Sequence, residues 1–148
     1  MNPVPLLHRL LLIAATVMSL VTIVACATDD PLPIDLAEPE QGPKIERPED
    51  IVDLTGNGEI TVEVGDNYFS PRNFIVDPGT RIVFVNVGFT PHNVISTREG
   101  AFERIPDAAL DQGPVTLILE DPGDYPLFCS IHGTATFGQT GYIVVTAT

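Results

Sequence analysis

Tryptophan is absent from the 148-residue chain, and sulfur is scarce, with two cysteines and two methionines. Both methionines, Met1 and Met18, lie near the N-terminus, so a chain processed after its leader carries no thioether at all. Basic residues are few. Seven Lys and Arg stand against 20 Asp and Glu, a formal net charge of −13. That balance excludes nucleic acid as a partner, because phosphates are neutralised by Lys and Arg. It also argues against electrostatic adsorption to an anionic lipid surface. No apolar run reaches the roughly 20 residues that a membrane-spanning helix needs. Two cysteines in an exported chain imply one disulfide by default, here Cys26 with Cys129, although the two stand in very different contexts. The length suggests one domain with appendages, and a 44% apolar fraction suffices for an ordinary core.

Residues 1–25 have a short start carrying Arg9 and then an apolar run from Leu10 to Ala25 that ends in small residues. This is the pattern of a secretory signal. The ending Ile23-Val24-Ala25-Cys26 resembles the lipobox of bacterial lipoproteins, in which the signal is cut before a cysteine that becomes lipidated. An ordinary cleaved signal and an uncleaved anchor are the alternatives, and all three put the remainder outside the cytoplasm, membrane-anchored in the lipoprotein case. Residues 26–57 then read as a tether. Five prolines and nine acids, against Lys44 and Arg47, fill Ala27 to Asn57. Such a segment buries too little apolar surface to offset its ordering entropy, and in polyproline geometry it would reach on the order of 100 Å. The alternative is that part of it docks as an extra strand, Ile51-Val-Asp-Leu54 being the best placed.

Residues 58–148 carry the folding signals. Glu59–Val64 alternates polar and apolar, as a half-buried strand does. Asn73–Val76, the nearly all-apolar Arg81–Asn86, Val94–Ile95, Val115–Leu119, Tyr125–Phe128 and Gly141–Thr146 complete the set, with at most a helical turn near Ala108–Leu110. Asp77-Pro-Gly-Thr80 and Asp121-Pro-Gly-Asp124 are turns in which Pro presets φ and Gly is free to reverse it. Many short strands with Gly/Pro turns and no long helical period mean an all-β sandwich or barrel.

Within that pattern one loop concentrates donor atoms, Tyr125-Pro-Leu-Phe-Cys-Ser-Ile-His-Gly-Thr-Ala-Thr-Phe-Gly-Gln-Thr-Gly141. Cys129 and His132 are three residues apart, Gln139 follows in a glycine-bounded turn, and a second imidazole, His92, lies upstream in Thr90-Pro-His-Asn93. A soft thiolate beside imidazoles is a donor set suited to copper. A structural zinc site wants four firm N or S ligands, and only three are present. A Cys–His nucleophile pair needs an orienting third group, and no Asp or Glu neighbours the pair in sequence.

Pro91-His92-Asn93, Gly123-Asp124-Tyr125 running into Cys129-x-x-His132, the glycine-rich turn and the last strand together resemble the cupredoxins, and among them the plastocyanin-like small copper proteins. The resemblance covers essentially all of residues 58–148. It implies a cupredoxin-like Greek-key β-sandwich, preceded here by a signal peptide and a disordered linker, and one type 1 copper ion. The implied activity is single-electron transfer between redox partners, not enzyme catalysis. A copper-binding or delivery module without a carrier role is the alternative. The implied metal ligands are His92, Cys129 and His132. Where relatives usually carry an axial methionine this chain has Gln139, as stellacyanin-like members do, and Phe137 would take that position if the loop were registered differently. Asn93 would tie the ligand loops together. Phe89, Pro91, Ile131, Gly133 and Phe137 would form an apolar rim around His132. A net charge of −7 over residues 58–148 would steer partners with basic surfaces toward a monomer tethered through lipidated Cys26.

Overall fold

A computed structural model describes residues 43–147. The expected signal segment, residues 1–25 with His8 and both methionines, and the first part of the expected tether, with Cys26, lie outside the described residues. Ten elements follow in order: β1 (Val52–Asp53), β2 (Glu59–Gly65), β3 (Tyr68–Ser70), β4 (Asn73–Val76), β5 (Arg81–Asn86), β6 (Ile95–Ser96), α1 (Asp107–Gln112), β7 (Val115–Ile118), β8 (Gly123–Thr134) and β9 (Phe137–Val145). They form two sheets, a five-stranded one in the order β1-β4-β9-β8-β6 and a four-stranded one in the order β3-β2-β5-β7. The fold is thus the all-β sandwich that the alternation of Glu59–Val64 and its successors implies. Among the described residues, no helix is long and apolar enough to cross a membrane.

Alternation explains the core. In β2 the side chains of Ile60, Val62 and Val64 are buried while Glu59, Thr61 and Glu63 are exposed, because successive side chains leave a strand on opposite faces. Ile82 and Phe84 of β5 add to the same inner face, and Phe74, Val76, Leu127, Cys129, Ile143 and Val145 come from the facing sheet. Phe69 and Phe84 meet edge-on with centroids 6.4 Å apart. Ile143, in the C-terminal half of β9, is fully buried. Ile143→Val should therefore lower unfolding free energy by about 0.5–1.5 kcal/mol, read as a lower denaturant midpoint at unchanged slope.

The structure departs from the expected boundary at residues 57 and 58. Val52 and Asp53 pair in parallel with Phe74 and Ile75 of β4, so the docked-strand alternative describes this segment. Leu54 N–H donates to Ile75 O, Arg47 reaches Asp124 Oδ1 at 2.6 Å, and Asn73 Nδ2 donates to Asp50 Oδ1. The physical reason lies in β9. Tyr142 and Val144 are buried although they lie on the face opposite Ile143 and Val145, so the outer face of this central strand also needs cover. Ile45 and Pro48 line a cavity against Tyr142 there.

A second departure is in the donor-rich loop. Residues read as a loop are two long paired strands. β8 and β9 run antiparallel from Gly123↔Val145 to Phe128↔Thr140, and pair again at Gly133↔Gly138 and Thr134↔Phe137. Between the two pairings the four residues Cys129–His132 stand opposite a single residue, Gln139. In an unbroken strand, positions three apart point to opposite faces; a bulge frees the extra residues from that rule. It thereby lets Cys129 and His132 face one centre. Gly138, at φ 82°, closes the hairpin: a Cβ there would collide with His132 O.

Candidate metal centre

Four side chains converge where the ends of the two sheets meet. Cys129 is carried by the β8 bulge and has no solvent exposure. Its Sγ lies 3.7 Å from His132 Nδ1 and 4.0 Å from His92 Nδ1. Among the described residues, His92, Cys129 and His132 form the one cluster of three or more His, Cys, Asp or Glu side chains with metal-ligand spacing, and their ligand atoms fall within 4.8 Å of one another. The two imidazole rings are 4.6 Å apart at an interplanar angle of 40°. His92 is fully buried between β5 and β6, whereas His132 is partly exposed. Cys129 is a free thiol.

Gln139 joins this group from the opposite strand and is fully buried. Its amide nitrogen donates to Gly65 O at 3.1 Å and Tyr68 O at 2.8 Å, which aims Oε1 at the site, 3.1 Å from His92 Nδ1. Phe137, the other candidate for that position, points away and is 80% exposed. Asn93 spans the two ligand segments as expected: its Oδ1 accepts from Ser130 N–H at 2.9 Å and its Nδ2 donates to Ser130 Oγ at 3.0 Å.

Residues that the sequence did not single out complete the surroundings. Asp66, in the turn between β2 and β3, accepts from Thr90 Oγ1 at 2.7 Å, from the N–H groups of Phe89 and Thr90 at 3.2 Å each, and from His92 Nε2 at 3.2 Å. The Thr90 hydroxyl, then the Phe89 and Thr90 amides and His92, hold this carboxyl down to about 2. An acid in a Gly65-Asp66-Asn67 turn is ordinary turn chemistry, so no signal in the sequence sets it apart. Thr90 stood inside the histidine motif without a role.

The donors fit a copper ion on structural grounds. An ionised Asp66 can only accept, so His92 Nε2 is the donor of that pair, while His92 Nδ1 faces Gln139 Oε1 at 3.1 Å and Cys129 Sγ at 4.0 Å. Gln139 Oε1, its amide fixed by two carbonyls, presents a lone pair there. His92 Nδ1, Gln139 Oε1 and the buried sulfur are thus gathered at one point, as a Lewis acid requires. A thiolate with two imidazoles and a weak oxygen donor is the arrangement found in blue-copper sites.

A two-sheet sandwich with one His–Cys–His cluster at its end defines a single-metal copper protein. Residues 56–146 match the family model described as copper binding proteins, plastocyanin/azurin family, and the chain belongs to that family. Solved structures similar to it include a mutant plastocyanin of fern (23% identity, TM-score 0.47, 59% of this chain and 100% of that one). A native pseudoazurin from Hyphomicrobium denitrificans matches at 23% identity and TM-score 0.48, over 59% of this chain and 74% of that one. The copper-containing nitrite reductase of Thermus scotoductus matches at 23% identity and TM-score 0.49, over 61% of this chain and 23% of that one. A search of curated proteins gives no match.

Proposed function

We propose that this protein carries single electrons between redox partners outside the cytoplasm; His92, Cys129 and His132, with Gln139 as a fourth and weaker donor, would hold the copper. The observation that carries the reading is the convergence of one buried sulfur, two imidazole Nδ1 atoms and one fixed amide oxygen on a single point. When bound, copper supplies a one-electron couple. The chain's own residues do the rest. The β8 bulge holds Cys129 and His132 on one side, Asn93 locks that bulge to the His92 segment, and burial of His92, Cys129 and Gln139 excludes water. Fixed donors need little rearrangement when charge changes, which favours electron exchange.

Burial also speaks against catalysis on a bound substrate, since three of the four donors have no open face. An electron needs only proximity, and His132 supplies it at the surface. Phe89, at 98% exposure, Ile131 and Phe137 leave apolar surface beside it. A redox protein with an apolar contact face and a basic margin fits that rim and the acidic surface around it. The signal-like start and Cys26 support a lipid-anchored placement at the membrane.

The Cu(II)-loaded protein tests this. The expected result is an intense blue absorption band with narrow copper hyperfine splitting in EPR, and reversible one-electron cycling. A pale spectrum of ordinary Cu(II) would overturn the carrier reading. A strong Cu(I) site with no reversible cycling would instead identify a copper-delivery module.

A further inference from the structure

Resting on the ligand set proposed above, we infer that Asp66 and Thr90 are positioning residues for both imidazoles. They fix each ring with its proton on Nε2 and set a negative charge behind His92 that favours Cu(II) over Cu(I). Nothing in the motif itself contains this device, because Asp66 comes from a different turn, 26 residues before His92.

The hydrogen bonds leave little choice of direction. Asp66 is ionised, so Thr90 Oγ1 must donate to Oδ1 at 2.7 Å and His92 Nε2–H must donate at 3.2 Å. Having given its one proton to Asp66, Thr90 Oγ1 accepts from its imidazole neighbours, His132 Nε2 at 3.2 Å and, more distantly, His92 Nε2 at 3.4 Å. One carboxylate therefore governs His92 directly and His132 through one hydroxyl. Both Nδ1 atoms are left as lone pairs on the Cys129 side. Gly88 covers the pair closely: a Cβ there would stand 2.6 Å from both Asp66 Oδ1 and His92 Nε2, so only glycine lets the backbone approach. A carboxylate behind a ligating imidazole orients the ring and raises its basicity. Greater basicity and the nearby negative charge both stabilise the more highly charged metal.

A simpler role exists for Asp66, that of stapling the β2–β3 turn to the loop of Phe89 and Thr90 through the backbone N–H groups. The test separates the two. The full chain is prepared as wild type, Asp66→Asn, Thr90→Val and Thr90→Ser. In the metal-free protein at about pH 8, above the imidazole range near 6.5, nitrogen-15 NMR of the rings reads which nitrogen bears the proton. Wild type should show His92 in the Nε2–H form alone. Asp66→Asn can offer its amide N–H to Nε2, so an Nδ1–H form donating to Gln139 Oε1 should become populated. Thr90→Val should speed exchange of the His132 Nε2 proton with water by tenfold or more, and Thr90→Ser should restore protection. With copper bound, Asp66→Asn should shift the ratio of Cu(I) to Cu(II) affinity toward Cu(I) by about 10- to 100-fold, the scale of such outer contacts.

Unchanged ring protonation together with an unchanged affinity ratio, in variants that merely melt earlier, would overturn the inference and leave Asp66 a staple. Should Asp66→Asn fail to fold, the Thr90→Val and Thr90→Ser pair decides by the His132 exchange rate. The NMR arm uses no metal, so it reports on the imidazoles even if the wild type gave no blue band and the electron-carrier reading failed.

Discussion

Cys129→Ser is expected to abolish the intense visible band of the copper-loaded protein and to weaken Cu(I) binding by more than the roughly 10- to 100-fold that contacts outside the ligand set are worth. The thiolate provides both the charge-transfer colour and the one soft donor of the set. Among the described residues Cys129 is the sole cysteine and there is no methionine, so none of them offers a second sulfur. Serine is nearly isosteric and introduces a hard, protonated oxygen where sulfur sat 3.7 and 4.0 Å from the two Nδ1 atoms. Backbone pairing in β8 and β9 is untouched, which keeps the variant informative. Optical titration with Cu(II) and a Cu(I) competition assay read the two effects. A blue band that survives in Cys129→Ser would remove the sulfur from the site.

The second large effect concerns Gln139→Met. An amide oxygen is a harder donor than a thioether sulfur and favours Cu(II), so methionine should raise the reduction potential. A ten- to hundredfold shift in relative affinity corresponds to about 60–120 mV for a one-electron couple. The variant has a cost as well. Gln139 Nε2 donates to Gly65 O and Tyr68 O, and losing a partner leaves a buried acceptor unsatisfied at about 1–3 kcal/mol. Those bonds tie β9 across to the β2–β3 turn, the same turn that carries Asp66, so metal-free Gln139→Met should also unfold at lower denaturant. Equilibrium redox titration checks the first effect, and an unchanged potential would take Gln139 out of the coordination shell. Denaturant titration checks the second.

Strand positions and the four converging donors, Gln139 with Phe137 as its alternative, were legible in the sequence for the same reason: the information is local. Glu59–Val64 alternates because a strand with one buried face must, and Cys129-x-x-His132 pairs a soft and a borderline donor within one turn's reach. Asn93 could be assigned a bridging role from its position beside His92. Tyr68–Ser70 escaped notice because three residues between turns carry no periodicity. Val52 and Asp53 pair with β4 although the segment around them has the composition of a disordered chain. Its docking depends on the outer face of β9, which Tyr142 and Val144 leave in need of cover.

The sequence by itself determined the class of fold, the identity of the soft donor and its imidazole partners, and the absence of any thioether after Met18. Tertiary structure decided the rest. It set four residues of β8 against one of β9, turned Cys129 and His132 to one side, and placed buried Gln139 beside them while leaving Phe137 exposed. It also carried Asp66 from a distant turn to the back of His92. Each of these depends on strand register or on contact between segments far apart in the chain. Such relations are fixed by pairing and packing of the whole sandwich, and no local pattern of residues encodes them.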